Sequence, residues 1–223
     1  MLVFDVNETL LDLGSLGPLF ERLFGDASVL HTWFDKLVLH SMTLTLSGYY
    51  ADFFTLGRAV LQLLASSRNV SLAHDDPDLL EQAMRTMPAH PDVEAGLEQL
   101  RSEGYRLITL TNSPHRPDTA SPLDNAGLSD YFEKQFTVDS TKLFKPSTHL
   151  YRRVAAEVGV EVSDCMMIAA HTWDIIGAQG AGMQGALITR RGTAPIVAAG
   201  IPVADLIAEN IPELAGELIR RKR

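Results

Sequence analysis

Residues 1–12, Met1-Leu-Val-Phe-Asp-Val-Asn-Glu-Thr-Leu-Leu-Asp12, combine a short apolar run with an abrupt change to polar side chains. The apolar run 2–4 is followed at once by the carboxylate of Asp5 and then by the polar turn 7–9. A short apolar run bounded by turn residues is typical of a buried strand, here of a parallel sheet. Catalytic groups gather at the carboxyl ends of such strands, where a carboxylate can act as a nucleophile. The alternative is that Asp5 caps the following turn or helix.

Two kinds of pattern follow this first strand. From residue 19 to about residue 85 the chain is helical, and we expect helices to begin near Ser28, Tyr49 and Asp78. Beyond residue 88, apolar runs that predict strands alternate with helical segments. The predicted strands are 106–111, 136–139, 165–169 and 185–189.

This alternation predicts an α/β fold with a doubly wound, mainly parallel sheet and helices on both faces. The helical block predicts an all-helical cap inserted after the first strand. We expect the core domain to comprise residues 1–14 and 88–223, and the cap domain to comprise residues 15–87.

Composition limits the class of protein. Of the 223 residues 46% are hydrophobic, so the chain can bury a full core, and the net charge of −9 argues against a nucleic-acid or anionic-membrane partner. One cysteine excludes an intrachain disulfide framework, and no signal-like segment or membrane-length apolar run is visible. We therefore expect a cytoplasmic protein that binds a small molecule. The aromatic residues of the cap offer a face for a homodimer.

Polar residues follow each predicted core strand. They are Asp5 with Thr9, Thr111 with Asn112, Lys145, and His171 with Asp174. Strands of one parallel sheet bring such residues to one edge. There Lys145 would pair with Asp5 and Asp174 and keep the nucleophile ionised, while Thr111 and Asn112 would bind a carboxylate or a leaving anion.

Four segments, in this order, resemble the motifs of the haloacid dehalogenase superfamily. They are Phe4-Asp-Val-Asn-Glu-Thr-Leu10, Leu110-Thr-Asn-Ser-Pro114, Phe144-Lys-Pro146 and Ala169-Ala-His-Thr-Trp-Asp174. The resemblance covers essentially the whole chain and is closest to the type II 2-haloacid dehalogenases, which implies a Rossmann-like core with a helical cap. In that branch an aspartate displaces halide from the carbon that bears it, and water then hydrolyses the aspartyl ester without a metal.

The resemblance, together with the strand-end positions, predicts the residues of the site. The predicted catalytic residues are Asp5, Lys145, Asp174 and His171, and the predicted substrate-binding residues are Asn7, Thr9, Thr111 and Asn112, with no metal and no cofactor. The ordinary pKa of histidine lies near neutrality, so His171 is a candidate base for the hydrolytic water. The alternative is that His171 only hydrogen-bonds Asp5 or Asp174.

Departures from the family pattern leave alternatives open. Asn7 stands where the family's phosphatases carry an acid that protonates the leaving alkoxide, and Ala170 removes one of their Mg²⁺ ligands. Both changes favour a dehalogenase, because halide needs no proton. Against it, the arginine that the family's cap helix supplies to the halide would fall near Leu44, where the stretch 42–46 holds no cation. The alternatives are an Mg²⁺-dependent phosphatase of the same superfamily, or a binding protein that kept the fold without turnover.

Overall fold

The computed structural model describes residues 1–116, 118–190 and 193–222. Its centre is a sheet of six strands, all paired in parallel, in the spatial order β3-β2-β1-β4-β5-β6. The strands are β1 (Leu2–Phe4), β2 (Leu107–Thr111), β3 (Lys134–Thr137), β4 (Met166–Ala169), β5 (Gln184–Ile188) and β6 (Leu206–Ala208).

The first strand lies in the middle of this sheet and is buried throughout. Its residue Val3 lies opposite Ile108 of β2 on one side and opposite Met167 of β4 on the other. The strand order reverses between β1 and β4, which creates the crevice where open α/β sheets bind their ligands. The predicted doubly wound parallel sheet is therefore confirmed, and residue 5 follows the strand that borders this crevice.

Five helices accompany the strands of the sheet. They are α5 (Val93–Ser102), α6 (Pro122–Asn125), α7 (Thr148–Glu157), α8 (Thr172–Ala181) and α9 (Ile211–Lys222). Helix α5 packs on α9 and helix α7 packs on α8, and α8 also contacts β4 and β5. The apolar faces of these helices close the core over the sheet.

Four further helices lie between β1 and α5, and we refer to them as the cap helices. They are α1 (Gly17–Phe24), α2 (Val29–Ser47), α3 (Phe53–Ser67) and α4 (Asp76–Arg85). Helix α3 begins four residues later than Tyr49, because Asp52 accepts hydrogen bonds from the N–H groups of Phe54 and Thr55 and so caps it. Helix α2 runs on to Ser47 and ends at Gly48, whose φ of +76° suits glycine.

One short element differs from the sequence-based expectation. Strand β6 has three residues and pairs with β5 at the edge of the sheet, where no strand was predicted. Helix α6 has four residues and begins with a capping box formed by Ser121 and Asp124. Within the described residues, no helix combines the length and apolar character needed to cross a membrane.

Two hydrogen bonds near the sheet edge are among the contacts between the part of the chain that carries the cap helices and the core. The Tyr50 hydroxyl donates a hydrogen bond to Asp139, at 2.5 Å from Oδ1. The Thr45 hydroxyl, near the end of α2, accepts a hydrogen bond from the backbone N–H of Phe144 at 2.9 Å. Both bonds join the cap helices to the segment between β3 and α7, which also carries Lys145.

Candidate active site

A buried ion-pair network lies at the point where the strand order reverses. Asp5 directly follows β1, Asp174 lies in the first turn of α8, and Lys145 lies between β3 and α7. Nζ of Lys145 is 2.7 Å from Oδ1 of Asp5 and 2.6 Å from Oδ2 of Asp174. The same ammonium donates to the backbone carbonyl of Leu110 at 2.9 Å, so its three protons are all bonded.

Lys145 is charged in this environment. Burial alone would lower the pKa of Lys145, but the carboxylates of Asp174 and Asp5 outweigh burial and raise it above its ordinary value. The ammonium therefore stays protonated and holds one oxygen of Asp5 in a fixed position. A carboxylate that is oriented in this way can act as a nucleophile.

Asp174 has both carboxylate oxygens engaged. Oδ2 accepts from Lys145, and Oδ1 accepts from the hydroxyl of Tyr151 at 2.5 Å. Complete burial raises the pKa of Asp174, while Lys145 lowers it in part, and burial also raises the pKa of Tyr151 well above its ordinary value. Asp174 therefore serves as a counter-charge for Lys145, and each of its two oxygens already accepts a hydrogen bond.

Thr9 orients Asp5 from the other side. Its hydroxyl donates to Oδ2 of Asp5 at 2.7 Å and accepts from the backbone N–H of Ala170 at 2.8 Å. Arg190 donates to the Thr9 carbonyl from Nη2 at 2.8 Å and from Nε at 3.2 Å. Thr9 was predicted from the sequence to bind substrate. In the structure its hydroxyl holds the nucleophile and connects it to Ala170, the residue after β4.

A small cavity lies in front of Asp5. Its volume of about 10 Å³ is close to the space that one water molecule occupies. The core contributes its polar lining from Asp5, Asn7, Asn112 and His171. The space that the cavity offers in this conformation fits no more than one water molecule.

Asn112 and Thr111 have different surroundings. Asn112 lines the cavity, and its Oδ1 accepts a hydrogen bond from the backbone N–H of Lys145 at 3.1 Å, which leaves its NH₂ group as a donor. Thr111 does not belong to this lining, because its hydroxyl accepts the backbone N–H of Ser113 at 3.1 Å. The expected Thr-Asn pair is thus divided, with Asn112 at the cavity and Thr111 used in shaping the loop after β2.

His171 is held between two aromatic rings. Its ring lies 5.2 Å from that of Trp173 at an angle of 11°, and 5.3 Å from that of Phe34 at 31°. Burial lowers the pKa of His171, Asp5 raises it, and Lys145 lowers it again, so the net pKa lies below the ordinary value. The neutral imidazole is therefore the form expected at pH 7. Trp173 also lines the cavity.

The cap helices contribute apolar residues to the cavity. Phe34 and Val38 of α2 and Phe53 of α3 line it, and among the described residues of this lining there is no lysine or arginine. The residues of α2 that face the site are therefore Phe34 and Val38, whereas the position of the family's cap arginine was predicted near Leu44. The prediction that the cap offers no cation to a leaving halide agrees with this lining.

A separate group of possible metal-binding atoms lies outside the lining of the cavity in front of Asp5. One ligand atom each from Glu8, Asp12 and His90 lie within 4.8 Å of one another. Asp12 already accepts the N–H of Gly14, and Nε2 of His90 lies 3.0 Å from the carbonyl of Glu8. His90 is partly buried.

Three residues of the network lie outside the predicted site. Tyr151 and Arg190 are buried and bond Asp174 and Thr9, and Ser113 accepts a hydrogen bond from Asn7. Ser113 directly follows the predicted Asn112, so its position next to a motif could have indicated it. A tyrosine within a helical pattern and an arginine after a strand carry no such signal in one sequence.

Comparison with known proteins agrees with this geometry. Residues 1–182 match the family described as haloacid dehalogenase-like hydrolase. The chain is 28% identical over 195 residues to (S)-2-haloacid dehalogenase 4A of Burkholderia cepacia, covering 86% of this chain and 84% of that protein. A shorter similarity, 37% identity over 93 residues, links 42% of this chain to 39% of a phosphoglycolate phosphatase of Neisseria meningitidis.

The L-2-haloacid dehalogenase of Xanthobacter autotrophicus has the same fold. Its structure superposes with a TM-score of 0.86 at 25% identity and covers 98% of this chain and 97% of that one. Another structure of that enzyme holds chloropropionic acid covalently bound. The family match over most of the chain, the parallel sheet and the dehalogenase relatives together establish that this protein belongs to the haloacid dehalogenase-like hydrolases.

Proposed function

We propose that this protein is a metal-independent hydrolase of small 2-haloacid-like substrates in which Asp5 is the nucleophile. The observation that carries the proposal is the position of Asp5. Its carboxylate lines the small cavity while Lys145 and Thr9 each hold one of its oxygens. The named dehalogenase relatives support the same reaction class. We further propose that residues 15–87 form the cap domain over this cavity.

In the first step, an oxygen of Asp5 attacks the substrate carbon that bears the halogen, and the carbon–halogen bond breaks. The electron pair of that bond leaves with the halide, so no proton is required. The NH₂ group of Asn112 is the neutral donor available to the substrate carboxylate or to the halide. In the second step, water attacks the aspartyl carbonyl carbon and releases a 2-hydroxy acid.

The apolar cap side of the cavity shapes the expected substrate range. Phe34, Val38 and Phe53 offer contact to a small alkyl group but no positive charge to a departing anion. We therefore expect turnover to depend strongly on leaving-group ability, with 2-bromopropionate faster than 2-chloropropionate.

The donor set is unfavourable for the Mg²⁺ of a phosphatase. Mg²⁺ requires near-octahedral oxygen ligands, whereas both oxygens of Asp174 are already bonded and Ala170 offers no side-chain oxygen. Asn7 also cannot protonate a leaving alkoxide. The partial similarity to phosphoglycolate phosphatases nevertheless makes phosphate esters the right competing substrates in a test.

The experiment measures halide and phosphate release from a panel of 2-halo acids and phosphate esters, with and without added Mg²⁺. We expect halide release from 2-halo acids without Mg²⁺, loss of this activity in Asp5→Asn, and unchanged activity in the exposed control Asp130→Asn. A single turnover in ¹⁸O-labelled water should place the label in the peptide that contains Asp5. Mg²⁺-stimulated phosphate release without halide release would refute the proposal, and no turnover of any substrate would favour a binding protein.

A further inference from the structure

Two buried acceptor groups in the cavity have no partner in the protein. Among the described residues, Oδ1 of Asn7 and Nε2 of His171 are buried side-chain atoms without a hydrogen bond. Both residues line the cavity of about 10 Å³ together with Asp5. Buried polar atoms normally find a hydrogen-bond partner, in the protein or in ordered water. A ligand of the size of one water molecule is therefore the partner that this cavity can admit.

Both groups are held in fixed orientations. Nδ2 of Asn7 donates to the hydroxyl of Ser113 at 3.1 Å, and this bond leaves Oδ1 as the free end of the amide. The His171 ring lies between Phe34 and Trp173, which prevents it from turning away. Such fixed groups select the orientation of whatever binds between them.

Asn7 and His171 favour a ligand that donates hydrogen bonds, and they disfavour an anion. Oδ1 of Asn7 can only accept hydrogen bonds, and Asp5 adds a negative charge next to it. The neutral form of His171 has one nitrogen that accepts a proton. A water molecule that donates one hydrogen to each of these acceptors keeps its own lone pairs free.

We propose that Asn7 and His171 bind the water that hydrolyses the aspartyl ester at Asp5, and that Nε2 of His171 accepts its proton. This inference rests on the proposed function, because it requires an ester at Asp5. The water oxygen forms a bond to Cγ of Asp5 and its proton moves to His171. The bond between Cγ and the ester oxygen then breaks, the electron pair stays on that oxygen, and His171 returns the proton to it. The carboxylate of Asp5 is restored with one oxygen from water, and the second proton of that water passes to solvent.

Asp174 does not fit the role of base at this cavity. Its two oxygens accept from Lys145 and Tyr151, and it does not belong to the cavity lining. The charged groups that act on the His171 ring are Asp5, Lys145 and Asp35 of α2. While the ester exists, Asp5 carries no charge, so Lys145 then opposes a second positive charge on His171 and favours rapid return of its proton.

The test separates the two chemical steps by rapid-quench kinetics with 2-bromopropionate. The variants are His171→Gln, His171→Asn and Asn7→Ala, and the matched control is the exposed His149→Asn. We expect the His171 variants to release about one equivalent of bromide in a burst, with steady-state turnover reduced by about 100-fold or more. Mass spectrometry should then find the ester on the peptide containing Asp5. For Asn7→Ala we expect the same burst with turnover reduced by about tenfold.

The pH profile gives an independent readout. Steady-state turnover of the wild type should fall as pH drops through the pKa of His171, which burial places below its ordinary value, and this fall should be absent in His171→Gln. The inference is overturned if both His171 variants turn over like His149→Asn, or if they lose the bromide burst itself. If the wild type releases no bromide from 2-bromopropionate, the proposed function fails, and the inference fails with it.

Discussion

Replacing Lys145 with methionine tests the energetics of the buried ion-pair network. The change removes an ammonium that lies 2.7 Å from Asp5 and 2.6 Å from Asp174, with Lys145 and Asp174 fully buried. At an effective dielectric constant of about 20, each contact corresponds to about 6 kcal/mol of Coulomb attraction. Desolvation of the buried ions offsets much of this, so we expect the free energy of unfolding to fall by about 3–5 kcal/mol. For a chain of this size the melting temperature should fall by roughly 10 °C.

Urea unfolding followed by tryptophan fluorescence measures this loss. The matched control is Lys134→Met, which breaks an exposed ion pair with Glu157 and should change stability by less than about 1 kcal/mol. Adding Asp174→Asn to Lys145→Met should restore part of the stability, because it removes one of two facing carboxylates, but none of the activity.

Lowering the pH should also reduce the difference in free energy of unfolding between the wild type and Lys145→Met. Without Lys145, the ammonium that lowers the pKa of Asp174 is lost and burial raises that pKa further, so the stability of the variant is highest at low pH and is lost as pH rises. If Lys145→Met loses no more stability than Lys134→Met at pH 7, then the network does not hold Asp5 in the way described.

Three further substitutions test other parts of the structure. Arg190→Met removes the guanidinium that binds the Thr9 carbonyl, and we expect kcat to fall about tenfold with KM little changed. Arg190→Lys should lower kcat by a smaller factor. Glu8 has its pKa raised to about 7, chiefly by burial. The wild type should therefore lose stability relative to Glu8→Gln as pH rises from 5 to 8, by about 1–2 kcal/mol after allowing for partial exposure, and equal differences at both pH values would contradict this. In Gly177→Ala the new Cβ would lie 2.4 Å from Cβ of Pro146, next to Lys145, so we expect a loss of about 1–3 kcal/mol in urea unfolding and reduced activity.

The sheet was predictable because its central strands are short apolar runs that end in polar residues. The run at residues 2–4 and the run before Thr111 both became buried parallel strands. Strand β6 was missed because three residues at a sheet edge gain their conformation from pairing with β5 and not from a local pattern. The start of α3 was placed too early because the apolar pattern extends back to Tyr49, whereas the Asp52 cap sets the first turn at Phe53.

The candidate site was predictable where it lies in motifs and not where it depends on three-dimensional packing. The strand-end positions indicated that Asp5, Lys145 and Asp174 would meet, and their atoms lie within hydrogen-bond distance. The different surroundings of Thr111 and Asn112 depend on how one loop turns after β2. The contribution of Arg190 depends on a contact between residues 181 positions apart, which a single sequence does not contain.

The small volume of the cavity has a kinetic consequence. A 2-halo acid is several times larger than the single water molecule that the cavity admits, so the residues that line the cavity must rearrange before substrate enters and again before product leaves. The bonds of Tyr50 to Asp139 and of Thr45 to Phe144, the neighbour of Lys145, hold this side of the cavity against the core and resist such a rearrangement. Turnover is then gated by a solvent-displacing motion, and kcat should decrease as the viscosity of the medium rises.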